Sequence, residues 1–166
     1  MSKIYISMHM CWILEKDRME PIFKKIVVPI DGSDASIHAA KKAIHLAQNL
    51  KAQLIVIHVI NRFEIKKFVE ISHDDEEAVK KDLQEYGFKY LGHVKDLATR
   101  SEVPVKLVLS EGIPAEEIIN TTKKEHADLI IIGSSGGTGF RKRLLGSTTD
   151  RVIRWSTSAP VLVITY

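Results

Sequence analysis

Residues 130–152, IIIGSSGGTGFRKRLLGSTTDRV, combine residue types suited to one kind of chemistry. An apolar run ends at Gly133. Gly136, Gly137 and Gly139 follow, then the basic triplet Arg141, Lys142 and Arg143, then Gly146, Ser147 and Thr148. Glycines let a backbone turn sharply and approach a ligand closely. Successive N–H groups in such a loop form an anion nest. A helix opening at Gly146 points its free amides and the positive end of its dipole at the same anion, and Ser147 and Thr148 add hydroxyl donors. The chemistry these residues suit is phosphate binding, and the other reading of the glycines by themselves is a merely flexible loop. For the triplet two readings stay open, neutralisation of phosphate charge and solvation of the loop.

The common phosphate loops do not match. G-x-x-x-x-G-K-[ST] is absent, and G-x-G-x-x-G fails from Gly137 because its sixth position is Lys142. SGGTGF approaches the S-G-G-x-D-S loop of ATP pyrophosphatases, with glycine where that loop needs aspartate. Nor does a catalytic set emerge. There is no G-x-S-x-G elbow, and Cys11 has no evident base partner. The acids of HDDEE (73–77) complement a helix N-terminus better than they form a metal site. His58 ends a strand, open to proton transfer or to a backbone hydrogen bond, and His38, His45, His93 and His126 lack ligand spacing with Cys, Asp or Glu.

The loop has to be positioned by strands and helices, and these read clearly. KKIVVPI (24–30), AQLIVIHVI (52–60), PVKLVLS (104–110), DLIIIGS (128–134) and PVLVITY (160–166) are apolar, β-branched runs expected as strands. Between them lie a helix capped by Ser33 or Asp34, with the stripe Ile37, Ala40, Ile44 and Ala47, and an irregular stretch over 61–73. A long polar helix to about residue 101 follows, weakened but not ended by Gly87 and Gly92. A helix with Pro114 at its first position and a short helix in STTDRVIRWSTS complete the set. Continuous apolar strands alternating with helices predict an α/β fold, an open five-stranded parallel sheet with helices on both faces. With strand order 3-2-1-4-5, the loops after the first and fourth strands, DGSDAS and GSSGGTG, flank the point where strand order reverses, which is where such sheets bind ligands.

A chain of 166 residues with a 45% apolar composition fits one soluble domain. A net charge of +3, without a basic stripe interleaved with aromatics, gives no nucleic-acid partner. The single cysteine excludes an internal disulfide and suits a reducing, cytoplasmic location. Residues 1–22 read as an N-terminal extension to a domain spanning 23–166. Ile4–Leu14 is mostly apolar after Lys3, but no small-residue cleavage site follows and the run is too short to cross a membrane. Either the chain starts at Met19, or the extension is an extra element packed on the domain or on a partner.

The spacing Gly133-x2-Gly136-x9-Gly146-Ser147 resembles the nucleotide-binding signature of the universal stress protein family. KKIVVPIDGSDAS, IVIHVI, EGIPAEEII, ADLIIIGSSGGTG, LLGSTTDRVIR and APVLVI are similar to the family too, and the resemblance covers roughly residues 23–166. It implies an adenine-nucleotide alpha-hydrolase-like fold that binds ATP or AMP, with Mg²⁺ or Mn²⁺ held through the phosphates. By position, it implies that Pro29, Ile30 and Asp31 meet adenine and ribose, that Val59 packs on the base, and that Ile132 and Gly133 lie along the nucleoside. Gly136, Gly146, Ser147 and Thr148 would hold the phosphates. Thr148 stands where the family often has valine, and a backbone amide contact would survive that change. The resemblance further implies a homodimer through the last strand (160–166) and a nucleotide-responsive regulator or stress-protection factor. A slow metal-dependent ATP hydrolase and a nucleotide-free dimeric scaffold are the alternatives.

Overall fold

The computed structural model describes residues 22–134 and 145–165. Most of the expected extension and the glycine-rich stretch 135–144 lie outside these. The described elements run β1 (Lys25–Pro29), α1 (Asp34–Leu50), β2 (Gln53–Asn61), α2 (Arg62–Ser72), α3 (Glu76–Arg100), β3 (Val105–Gly112), α4 (Pro114–Lys124), β4 (Leu129–Gly133), α5 (Ser147–Trp155) and β5 (Val161–Ile164). The strands form one parallel sheet in the order β3-β2-β1-β4-β5, as expected.

Alternation along each strand splits the core into two layers, because successive side chains point to opposite faces. Ile26, Val28, Ile30, Leu54, Val56, Leu129 and Ile131 face α1 and α3. Val27, Ile55, Ile57, Ile130 and Ile132 face α4 and α5. Helices therefore cover both faces, which is why the central strands read as continuous apolar runs rather than alternating ones.

The helix boundaries follow from local chemistry. Ser33 caps α1, its Oγ accepting from the Ser36 amide at 3.2 Å. Lys51 ends α1 in the left-handed region at φ 55°. The buried stripe of α1 is Ala35, Ser36, Ala39, Ala40, Ala43, Ile44 and Ala47. Ile37, expected in that stripe, only flanks the core, and the alanines bring the helix close to the sheet. α3 runs unbroken through both glycines. At Gly87 a Cβ would lie 2.7 Å from the side chains of His58 and Leu109, so this glycine lets the long helix settle on the sheet. Val105–Gly112 extends β3 two residues past its expected end, while β5 is shorter than 160–166.

One expectation is corrected. Residues 61–73 are not irregular: Arg62–Ser72 is a helix, capped by Asn61, whose Oδ1 accepts from the Phe63 amide at 3.0 Å. It packs Ile65 and Val69 against Ile60, Val79, Leu83 and Leu109. Two residues spaced i, i+4 make too narrow a stripe to stand out beside the exposed Phe63, Phe68 and Ile71.

Candidate functional site

The register between β1 and β2 runs from Lys25↔Gln53 to Pro29↔Ile57, whereas that between β1 and β4 covers only Ile26↔Leu129 and Val27↔Ile130. Pro29 supplies the reason. The Ile30 amide donates to Ile57 of β2 at 2.9 Å. Backbone donors alternate in direction along a strand, so the nitrogen of residue 29 faces β4, and proline has no hydrogen there to give. The ladder stops at the place where strand order reverses.

The turn after β1 is tightly organised. The Asp31 amide donates to Ser36 Oγ at 3.3 Å, and Asp31 Oδ1 accepts from the amide and hydroxyl of Ser33 at 3.0 and 2.5 Å. Ser36 Oγ in turn donates to the Ser33 carbonyl at 2.9 Å. The Asp31 side chain is exposed, and its Oδ2 takes no hydrogen bond among the described residues. One carboxylate oxygen orients the turn while the other remains able to accept from a hydroxyl. Gly32 has φ 81°, a conformation that L side chains rarely adopt.

The second half of the site is built at the end of β4. Gly133 is buried, and a Cβ there would lie 2.9 Å from the Ala35 carbonyl oxygen, so the first turn of α1 occupies the space a side chain would need. The Ser134 amide donates to Ile164 of β5 at 2.9 Å, and the Gly146 amide donates back to the Ser134 carbonyl at 2.8 Å. α5 therefore begins beside the end of β4. Gly146 is its N-cap, and no side chain caps it. Asp150 closes the first intrahelical bond to Gly146, and the amides of Ser147, Thr148 and Thr149 have no partner among the described residues. These are the orphan donors of an open helix N-terminus.

The expected residues are brought to one edge of the sheet. Asp31, Val59 and Gly133 lie at the carboxyl ends of neighbouring strands, and Gly146, Ser147 and Thr148 are tied to that edge through Ser134. Pro29, Ile30, Ile132 and Gly133 are all buried. Val59 is half-buried on the α4 and α5 side. Gly136 lies outside the described residues, as do Arg141, Lys142 and Arg143. Ser33 was expected as the helix cap, whereas sequence reasoning missed Gly32, Ser36, Tyr90 and Thr149 as parts of the frame. The repeated Ser and Thr flanking the two glycine loops were a signal for the hydroxyls, whereas Tyr90 had none.

His58 makes the backbone bond that was one of its two readings: Nδ1 donates to the Ile30 carbonyl at 2.9 Å. Among the described residues no three His, Cys, Asp or Glu side chains are grouped to hold a metal. Of the HDDEE acids, Asp75 is the α3 N-cap and Glu76 pairs with Lys80 at 2.9 Å. That hydrogen bond holds the Glu76 carboxyl below its ordinary value and Lys80 above its own. No described helix is long and apolar enough to cross a membrane.

Comparison with known proteins agrees with this architecture. The model of the universal stress protein family matches residues 22–165. Universal stress protein MJ0531 of Methanocaldococcus jannaschii is 39% identical over 87% of this chain and 84% of its own length. YxiE of Bacillus subtilis is 32% identical over 86% and 99%. The solved structure of MJ0577, from the same archaeon, superposes with a TM-score of 0.73 at 34% identity, covering 86% of this chain and 96% of that one. Two further universal stress protein structures share the fold at 24% and 20% identity, with TM-scores of 0.66 and 0.60. The first, in complex with cAMP, is matched over 87% of this chain and 99% of its own. The second, from Archaeoglobus fulgidus in complex with dAMP, is matched over 86% and 98%. By its family match and by the identity of these relatives, the chain belongs to the universal stress protein family.

Proposed function

We propose that this protein binds an adenine nucleotide, ATP or AMP, at the carboxyl edge of the sheet and acts as a nucleotide-responsive regulator or stress-protection factor. The observation that carries the reading is the uncapped start of α5, with three amides that have no partner among the described residues, joined by way of Gly133 and α1 to the turn that presents Asp31. An open helix N-terminus attracts phosphate, and a carboxylate with one oxygen that takes no hydrogen bond among the described residues suits a ribose hydroxyl. The cAMP and dAMP complexes of two proteins with this fold support an adenine nucleotide as the ligand. In this reading Asp31 meets the ribose and base, with Pro29 and Ile30 lending backbone atoms. Val59 lies under the base, Ile132 and Gly133 along the nucleoside, and Gly136, Gly146, Ser147 and Thr148 at the phosphates. Mg²⁺ or Mn²⁺ would be held through the phosphates rather than by a cluster of acids.

A homodimer through β5 is part of the proposal, as is a cytoplasmic location. β5 is a sheet edge, Leu162 on it is exposed, and Ile153 and Trp155 on α5 are exposed as well. Nucleotide would shift the population of dimer arrangements by its differential affinity for them.

Calorimetric titration with ATP and AMP tests the ligand, with Asp31→Ala and Gly136→Val as variants. Loss of binding in both, with the melting temperature of the free protein retained, is the expected result. Unchanged affinity in Gly136→Val would remove the phosphates from this loop. Absence of any nucleotide effect on the wild-type chain at millimolar concentration would favour the nucleotide-free scaffold.

A further inference from the structure

The turn that carries Asp31 is held from outside its own loop, by two residues of distant elements. Ring carbons Cζ, Cε1 and Cε2 of Tyr90, on α3, lie 2.4, 2.5 and 2.8 Å from where a Cβ of Gly32 would be. The phenol ring therefore covers the face of the turn on which Gly32 lacks a side chain. Tyr90 also packs on His58, with ring centroids 5.6 Å apart and planes inclined by 57°. His58, on β2, donates from Nδ1 to the carbonyl of Ile30 at 2.9 Å. Gly87, one helical turn before Tyr90, lets α3 come close enough for both contacts, since a Cβ there would strike His58. Ile30 and Gly32 are thus restrained on either side of Asp31, one by a hydrogen bond and the other by an aromatic ring.

We propose that Tyr90 and His58 are positioning residues for the nucleotide, setting the Ile30–Asp31–Gly32 turn so that the Asp31 carboxylate meets the nucleoside. The inference rests on the nucleotide reading above and adds to it a link from the long helix α3 to the ligand. Nucleoside contacts are made to a turn whose φ of 81° at Gly32 is one of several a glycine can adopt. Without the ring, the turn gains alternatives, and the fraction of molecules presenting Asp31 correctly falls. Apparent affinity falls by the same fraction. Tyr90 packs in the core layer on one face of the sheet and α5 in the layer on the other, so binding at the helix start is not expected to change.

Adenosine, ATP and inorganic tripolyphosphate serve as probes in calorimetric titrations of the full chain. Tyr90→Leu is expected to weaken adenosine and ATP alike, by about tenfold if the ring restrains the turn as strongly as one good contact does, with tripolyphosphate unchanged. Tyr90→Phe keeps the ring and binds as the wild type. His58→Asn keeps a donor near the Nδ1 position and retains most of the affinity that His58→Leu loses. Hydrogen exchange at the Ser33 amide, which donates to Asp31 Oδ1 within the turn, reads the restraint without any ligand. Faster exchange in Tyr90→Leu is expected. Unchanged exchange together with unchanged adenosine affinity would overturn the proposal, as would an equal loss of tripolyphosphate and adenosine. A wild-type chain that binds no adenosine overturns the nucleotide reading and the positioning role with it, and the exchange result then shows whether the restraint itself exists.

Discussion

The hydroxyl of Thr149, in the first turn of α5, donates to the carbonyl oxygen of Gly133 at the end of β4, at 2.8 Å, and both residues are buried. The two lie 16 residues apart, on either side of the glycine-rich stretch. With the Gly146 amide on the Ser134 carbonyl, this bond fixes where α5 starts relative to the sheet. The direction of its open N-terminus follows. The buried hydroxyl of Thr149, which the sequence did not single out, anchors the helix.

Thr149→Val keeps the shape and removes the donor. It leaves the buried Gly133 carbonyl short of a partner and is expected to lower stability by about 1–3 kcal/mol. Thr149→Ser keeps the bond and loses only a methyl group, so it costs less. Urea midpoints of the two variants check the order, and an unchanged midpoint in Thr149→Val would mean that the hydroxyl adds nothing to the fold.

Ser147 is exposed at the first position of α5. An aspartate there faces the positive end of the helix dipole, which is worth about 0.3–1 kcal/mol. The same charge repels a bound phosphate. Ser147→Asp is therefore expected to raise the melting temperature of the free protein and to weaken ATP by about tenfold or more. Calorimetry reads the second effect and thermal denaturation the first. A variant that binds ATP normally would place the phosphates elsewhere.

The two glycines of α3 respond oppositely to alanine. At Gly92 a Cβ meets nothing within 4 Å, so Gly92→Ala adds helix propensity alone, a gain of about 0.5–1 kcal/mol. At Gly87 a Cβ would press on His58, which its bond to Ile30 holds in place. Gly87→Ala is expected to cost about 1–3 kcal/mol. Chemical denaturation of the pair decides it, and a shared sign would mean that α3 does not rest on the sheet at Gly87.

Lys106 Nζ lies 2.8 Å from both carboxylate oxygens of Glu125. That hydrogen bond is the main cause holding the Glu125 carboxyl below its ordinary value of 4.5. A lowered pKa in the folded state stabilises the fold above 4.5, and the contribution disappears as pH falls through the lowered value. Lys106→Met is expected to move the Glu125 titration up toward 4.5 and to flatten the part of the acid-side stability loss that this group contributes. Carboxyl NMR titration measures the shift. No upward movement would mean that the pair does not persist in solution.

Some of this architecture was legible because it is written in local patterns. The β-branched runs around Val27, Ile55 and Ile131 could only be strands buried on both faces, and their alternation with helices left few topologies. Gly133, Gly146 and Ser147 stood out because glycines and hydroxyls sit together after a strand, and Asp31 entered through the family resemblance. Helix α2 was less visible, since Ile65 and Val69 make only half a stripe and the rest of its apolar surface faces outward.

What the sequence determined alone is the five parallel strands, their alternation with helices and the strand order expected of such a pattern. These depend on residue type and short-range spacing. The tertiary structure decided which residues hold that edge in place: Pro29 ending the β1–β4 ladder, Ala35 filling the space beside Gly133, Thr149 anchoring α5, and Tyr90 covering Gly32. Each of these acts on a partner supplied by a different element, 58 residues away between Tyr90 and Gly32. Periodicity and propensity report on neighbours along the chain, and only packing brings such pairs within a few ångströms of one another.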